Sequence, residues 1–226
     1  MVKKKLKRFR ENKTFSHLHE YNYVRLQKEP FPWKGRWSKE YFRNDNPITL
    51  ELGCGKGEYT IALSKWYPER NFIGIDLKGA RLWRGCKTVE EENIRNVAFI
   101  RSRADFLEDF FGENEISEIW ITFPDPQIQS PRRKKRLTSP RFMNHYRKIL
   151  KPGGMIHLKT DNEMFYEYTL NRIKESGSKI LYASDDVYHS GAPKAITEVQ
   201  TFYEQMHLEK GKTIKYVNFI LKQDEK

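Results

Sequence analysis

Leu50-Glu51-Leu52-Gly53-Cys54-Gly55-Lys56-Gly57 is the stretch that decides the fold of this chain. An apolar run, Ile48 to Leu52, feeds directly into glycines at alternate positions. Tyr59, Ala62, Leu63 and Trp66 then fall at i, i+3, i+4 and i+7, one face of a helix, and are expected in the core. A strand, a glycine turn and a helix in that order form the opening unit of a doubly wound sheet. The glycines let the backbone turn sharply and approach a ligand closely. Asp76 closes the next strand, 25 positions beyond Glu51, where this architecture presents an acid to the two hydroxyls of a ribose.

Working outward, strands are expected at Asn71 to Asp76, Val97 to Ile100, Ile116 to Phe123 and Met155 to Thr160, alternating with helices. One helix has Ser139 as its cap and Pro140 in its first turn. Phe142, Met143, Tyr146, Ile149 and Leu150 form its buried stripe, and Pro152-Gly153-Gly154 ends it. The next helix begins near Asp161-Asn162, and late segments at Ile180 to Ala183 and Thr213 to Leu221 are read as an antiparallel hairpin closing the sheet. The fold class is therefore α/β, a doubly wound, mostly parallel, seven-stranded Rossmann-like sheet. Residues 46–226 form the domain. Residues 1–45, with Pro30 and Pro32 among scattered aromatics such as Phe9, Phe15, Tyr21, Tyr23 and Trp33, read as a partly mobile basic arm docking on the domain or on a partner.

Charge narrows the partner. The chain of 226 residues carries 42 Lys and Arg against 30 Asp and Glu, a formal +12, which favours a polyanion through counterion release. Six of the first ten residues are basic. A second block, Arg132, Arg133, Lys134, Lys135 and Arg136, lies inside the domain, so two separate phosphate contacts are expected, and nucleic acid leads. No apolar run approaches the length that spans a bilayer. The opening MVKKKLKRFR lacks an apolar signal core, and Cys54 and Cys86 are the only cysteines, which fits free thiols in a cytoplasm. No His and Cys spacing suggests a metal. His17-x-His19 reads as facing RNA or as incidental.

The spacing G-x-G-x-G, with Glu51 two residues ahead of the first glycine, resembles the class I methyltransferases, whose acid there positions the amino-acid end of S-adenosyl-L-methionine. That resemblance implies Glu51, Gly53, Gly55 and Asp76 as cofactor contacts. Arg103-Ala104 stands where the family has an acid followed by Ala against the adenine, so that contact falls to the backbone or to Asp105. Beyond the fourth strand, Phe123-Pro124-Asp125-Pro126, the basic block and Arg136-Leu137-Thr138 are similar to the F-x-D-P, basic stretch and R-R-L-T of the tRNA (guanine-N7-)-methyltransferase family. Lys159-Thr160-Asp161-Asn162 and Thr201-Phe202-Tyr203-Glu204 resemble its K-T-D-N and T-x-Y-E. The resemblance covers roughly residues 48 to 220.

It implies transfer of a methyl group from S-adenosyl-L-methionine, leaving S-adenosyl-L-homocysteine, to N7 of a tRNA guanosine, in the family that of the variable loop (position 46). Asp125 would be the catalytic residue beside donor and acceptor, and Asp161, Thr201, Tyr203 and Glu204 would meet the guanine. Gln127 and Gln129 depart from the family's Trp and Lys, though Gln129 still offers a donor and an acceptor. Each acid has a plainer reading too: Asp161 suits a helix cap, Asp125 a Pro-rich turn, and Tyr203 the core. tRNA is the expected partner, with no obligate protein partner and a monomer or homodimer as the assembly.

Overall fold

Ile48–Leu52 is buried at all five positions, the pattern of a strand covered on both faces and not of one that alternates between core and water. The computed structural model describes residues 2–223, with side chains from Lys5 onward. Met1 and the side chains of Val2 to Lys4, within the expected basic arm, and residues 224–226 of the expected domain lie outside the described residues.

In chain order the elements are α1 (Val2–Asn12), β1 (Leu18–Glu20), α2 (Tyr23–Lys28), a π-helical turn (Trp37–Phe42), β2 (Ile48–Leu52), α3 (Glu58–Trp66), β3 (Asn71–Asp76), α4 (Gly79–Glu91) and β4 (Val97–Arg101). Then come α5 (Leu107–Phe110), β5 (Ile116–Thr122), a 3-10 turn (Ser130–Lys135), α6 (Pro140–Ile149), β6 (Leu150–Thr160), α7 (Glu163–Glu175), β7 (Lys179–Ser184), α8 (Lys194–Thr197), α9 (Phe202–Glu209) and β8 (Lys215–Ile220). One sheet of eight strands runs in the order β1-β4-β3-β2-β5-β6-β8-β7. The pairs from β1 to β6 are parallel, and β8 lies antiparallel between β6 and β7. The doubly wound α/β reading is thus borne out, with one strand more than the seven expected.

The extra strand comes from the first 45 residues. β1 pairs with β4, Leu18 opposite Phe99, extended by Phe99 N–H to His17 O at 2.7 Å and Tyr21 N–H to Arg101 O at 3.2 Å. Ahead of it α1 lies on α4. Trp83 donates its indole N–H to Glu11 Oε2 at 2.5 Å and Asn12 donates to Gly79 O at 3.0 Å. His17 and His19 are both engaged within the fold. His17 Nε2 donates to Cys86 O at 3.0 Å, and His19 is buried among Trp33, Trp37 and Tyr41, where burial lowers its pKa to about 3. An imidazole in an aromatic box has no solvent to stabilise its charge.

Three local expectations are corrected. Trp66 is exposed. The buried face of α3 turns instead through Tyr59, Thr60, Ile61, Leu63 and Ser64, because Thr60 is drawn in by Glu51 and the Ser64 hydroxyl by Ile61 O. α6 ends at Ile149, and Pro152-Gly153-Gly154 is a bend inside β6, with Gly153 in the left-handed region. The cap of α7 is Asn162, which accepts from Phe165 N–H at 2.9 Å and leaves Asp161 free for other partners.

Candidate active site

The strands β2, β3, β4, β5 and β6 stop in near alignment. Leu52 lies opposite Ile75 and Ile121, Asp76 opposite Arg101, and Thr122 opposite Lys159. The loops that leave these C-terminal ends therefore share one edge of the sheet, the crevice in which open α/β sheets bind ligands. Glu51, Asp76, Arg103, Asp125 and Asp161 all sit on or beside those ends.

The glycine turn is held from beneath. Gly53, Gly55 and Gly57 all take positive φ, and Asp76 Oδ2 accepts Gly55 N–H at 2.9 Å while its Oδ1 accepts Lys78 N–H at 2.6 Å. A Cβ built on Gly53 or Gly55 meets nothing within 4 Å, so the turn faces open space. Gly57 is different: its Cβ would stand 2.6 Å from the Phe99 ring.

Glu51 is buried beneath the turn. Its Oε2 accepts from the backbone N–H and the hydroxyl of Thr60, and its Oε1 from the Thr122 hydroxyl at 2.6 Å. Burial pushes the carboxyl up to about 7 against the hydrogen bonds from Thr122 and Thr60, which favour the charged form. Sequence reasoning missed both threonines, since neither sits in a recognisable motif.

Beside Asp76 a cavity of about 660 Å³ opens between the ends of β3 and β4. Leu77, Ser102, Arg103 and Phe106 line one side, and Tyr21 and Tyr23 from the N-terminal segment the other. Ala104 begins a short 3-10 turn there and is half-buried. Arg103 is exposed and donates through Nε to Asp105 Oδ2 at 3.0 Å, while Arg141 reaches Asp105 Oδ1 at 2.9 Å. Both oxygens of Asp105 are therefore engaged by guanidinium groups.

Past β5 the backbone takes a left-handed residue at Phe123, whose N–H donates to Lys159 O at 2.8 Å, and another at Gln127. Between them Asp125 is exposed, and its Oδ1 accepts Gln127 N–H at 3.0 Å. Gln129 is exposed just before the 3-10 turn. The basic block divides: Arg132, Arg133, Lys134 and Lys135 are exposed, whereas Arg136 is 7% exposed. Its guanidinium donates to Pro126 O at 3.1 Å and Gln127 O at 3.2 Å and lies 4.4 Å from the Tyr168 ring. Arg136 is a clasp on the Asp125 loop and is not presented at the surface, contrary to its expected place among the outward-facing bases.

Across the crevice Asp161 Oδ2 receives Lys212 Nζ at 2.6 Å and stands 3.3 Å from His207 Nδ1. Thr201 caps α9, accepting Glu204 N–H at 3.2 Å. Tyr203 is partly exposed under the Arg81 guanidinium, and Phe202 lies under Lys56 of the glycine turn at 4.3 Å. Glu204 is fully buried. Its Oε1 meets Lys159 Nζ at 2.6 Å and accepts from the Tyr188 hydroxyl at 2.7 Å, while Oε2 has no hydrogen-bond partner. Burial opposes both charges of the pair, lowering the Lys159 pKa and raising that of Glu204. Lys159 was quoted in the sequence only as a member of the K-T-D-N match, with no role, and Tyr188 not at all, because nothing local says that a lysine in a strand is wholly enclosed.

This sheet, with its glycine turn, the acid at the end of β3 that holds the turn and the open space before them, defines an enzyme of the class I S-adenosyl-L-methionine-dependent methyltransferases. A family profile described as "Putative methyltransferase" matches residues 45–217. The chain belongs to the tRNA (guanine-N(7)-)-methyltransferase family: proteins of that name are 51% identical in Christiangramia forsetii, covering 97% of this chain and 99% of that one, and 46% identical in Bacteroides fragilis, covering 99% and 88%. Among solved structures, the 16S rRNA methyltransferase KamB shares the fold at a TM-score of 0.60 and 14% identity, over 78% of this chain and 89% of that chain. Haemonchus contortus phosphoethanolamine N-methyltransferase 2, in complex with S-adenosyl-L-methionine, does so at 0.51 and 14%, over 88% and 52%. No helix among the described residues is long and apolar enough to cross a membrane.

Proposed function

We propose that the chain methylates N7 of a guanosine in tRNA, and that the guanosine is the one in the variable loop. What carries the reading is the gathering of the Phe123 to Pro126 loop, Asp161 and the start of α9 around one glycine turn, in a chain whose relatives bear that activity in their names.

S-adenosyl-L-methionine, the methyl donor, supplies an electrophilic methyl group on a sulfonium. The residues suit it: Gly53 and Gly55 face open space, Asp76 keeps lone pairs for a ribose, and the 660 Å³ cavity between β3 and β4 has room for an adenine. With both Asp105 oxygens engaged, the backbone at Arg103 and Ala104 is left for the adenine edge. Glu51, beneath the turn, serves the amino-acid end.

N7 of a guanosine has an available lone pair, so no side chain has to remove a proton. The chain's task is orientation and charge. Asp125, exposed at the crevice, balances the positive charge that develops on the purine. In this reading Asp161 and Tyr203 meet the guanine, Gln129 meets a neighbouring group, and Thr201 and Glu204 act from behind by fixing the start of α9. Because N7 points into the narrow major groove of an RNA helix, the target nucleotide must be unpaired or opened, as a variable loop allows. A tRNA substrate puts the protein in the cytoplasm.

The test is incubation with labelled S-adenosyl-L-methionine and unmodified tRNA, followed by identification of the methylated nucleoside and its position. A target 7-deazaguanosine should still bind and yet accept no methyl group. Methylation of that substrate at the target would overturn the N7 reading.

A further inference from the structure

Lys159 joins the two walls of the crevice. It sits next to the end of β6, opposite Thr122 of β5 and Tyr216 of β8, so the sheet holds its backbone from both sides. Its carbonyl accepts the N–H of Phe123, the first residue of the Asp125 loop, at 2.8 Å, and Asp161 follows two positions later. The side chain is wholly enclosed and runs to the opposite wall. Its ammonium has three N–H groups, and they reach three acceptors: Ile196 O, Val199 O at 3.3 Å and Glu204 Oε1 at 2.6 Å.

Those acceptors belong to the stretch that delivers α9. Between β7 and β8 this stretch adds no strand to the sheet among the described residues, so side chains fasten it. Tyr59 donates its hydroxyl to Ala195 O at 2.9 Å, Glu58 accepts Phe202 N–H at 3.1 Å near the surface, and Lys159 takes three points in the interior, all on buried residues. Enclosing a lysine and a carboxylate is costly. Burial works against both charges, and an apolar side chain of similar length would cover the same ground without that penalty. Methionine or leucine, however, cannot hold three acceptors at set places. Beside a crevice where a shift of about 1 Å can slow the chemistry about a hundredfold, a fixed position is the gain that offsets the cost.

We propose that Lys159 is the positioning residue of the guanine site, its carbonyl holding the Asp125 loop and its ammonium holding the start of α9 at one set separation, an inference that rests on the RNA guanosine reading above. Being enclosed, it meets neither cofactor nor base and acts through Phe123 and Glu204.

The experiment compares the full chain with Lys159→Met, Glu204→Gln and Lys159→Met/Glu204→Gln. Lys159→Met keeps the length and removes the three N–H groups; the double variant also removes the carboxylate charge that would otherwise be buried alone. For each, Tm, the dissociation constants for S-adenosyl-L-methionine and for tRNA, and the single-turnover rate of methyl transfer with both saturating are measured. The double variant should melt near the wild type and bind cofactor and tRNA as the wild type does, yet transfer the methyl group about tenfold to a hundredfold more slowly. Glu204→Gln keeps both carbonyl contacts of Lys159 and an acceptor for Tyr188, so its rate should lie between; if the double variant does not fold, this one carries the comparison. A wild-type rate, or a loss of cofactor binding in step with the rate, would overturn the proposal. If N7-methylguanosine forms and the variants keep the wild-type rate, the positioning role fails alone; if the variants are slowed with binding intact and another atom is methylated, the N7 reading fails alone.

Discussion

At the scale of single residues, Asp125 and Glu51 show how one side-chain type is put to two uses by its surroundings. Asp125→Asn keeps an oxygen for the Gln127 N–H and removes only the charge. It should lower kcat about a hundredfold or more with unchanged thermal stability, in line with the loss of a charge that faces a developing charge; a kcat within a few-fold of wild type would remove Asp125 from the chemistry. Glu51 carries its folded pKa, about 7, above its ordinary value, so the folded state holds an extra proton through the window between them. Stability of the cofactor-free protein must then fall as pH rises through that window and level off above about 7, by up to about 3 kcal/mol. Glu51→Gln should flatten that slope, so that its Tm gains on the wild type between pH 5 and pH 8. An equal difference at both pH values would mean that the carboxyl is not perturbed. The glycine spacing drew attention to Glu51 and Asp76, and the resemblance to an F-x-D-P motif drew attention to Asp125. It did not reveal that Arg136 turns inward, because five consecutive basic residues look alike until a carbonyl pair and an aromatic ring claim one of them.

Among the elements, the turn from β2 to α3 is specified by sterics as much as by ligand. Gly57 has φ of +72° and faces the Phe99 ring, so Gly57→Ala should cost about 2 to 4 kcal/mol, from the left-handed backbone and from overpacking. Phe99→Leu in the same chain should recover the packing part and not the backbone part. Denaturant melts of the two single variants and the double one measure this; strict additivity would show that the ring is not the obstacle. The clasp on the Asp125 loop separates from the rest of the basic block: Arg136→Ala should reduce kcat with little change in tRNA affinity, whereas neutralising Arg132 to Lys135 should weaken tRNA binding and flatten its salt dependence. Equal effects from both would dissolve the distinction. Central strands were readable because each is a short apolar run bounded by turns. β1 was not, since three residues carry no period and their pairing with β4 joins positions about 80 residues apart.

For the whole molecule, the N-terminal segment belongs to the architecture. Deleting residues 1–20 uncovers the edge of β4 and the face of α4 where Trp83 meets Glu11, and should lower Tm by about 5 °C or more, measured without RNA. An unchanged Tm would make the segment a mere polyelectrolyte. Its aromatic residues hinted at docking, and the charge of the first ten pointed to RNA; neither told that both α1 and an edge strand were being supplied. The place of β8 bears on synthesis. β8, made after β7, is not at the rim but wedged between β6 and β7. Until residues 215–220 emerge, β7 has no neighbour and β6 shows a bare row of amides and carbonyls. A nascent chain paused before that point is thus a six-stranded parallel sheet with a sticky border, open to pairing with another such chain, and residues 215–220 act as the zip that seals it.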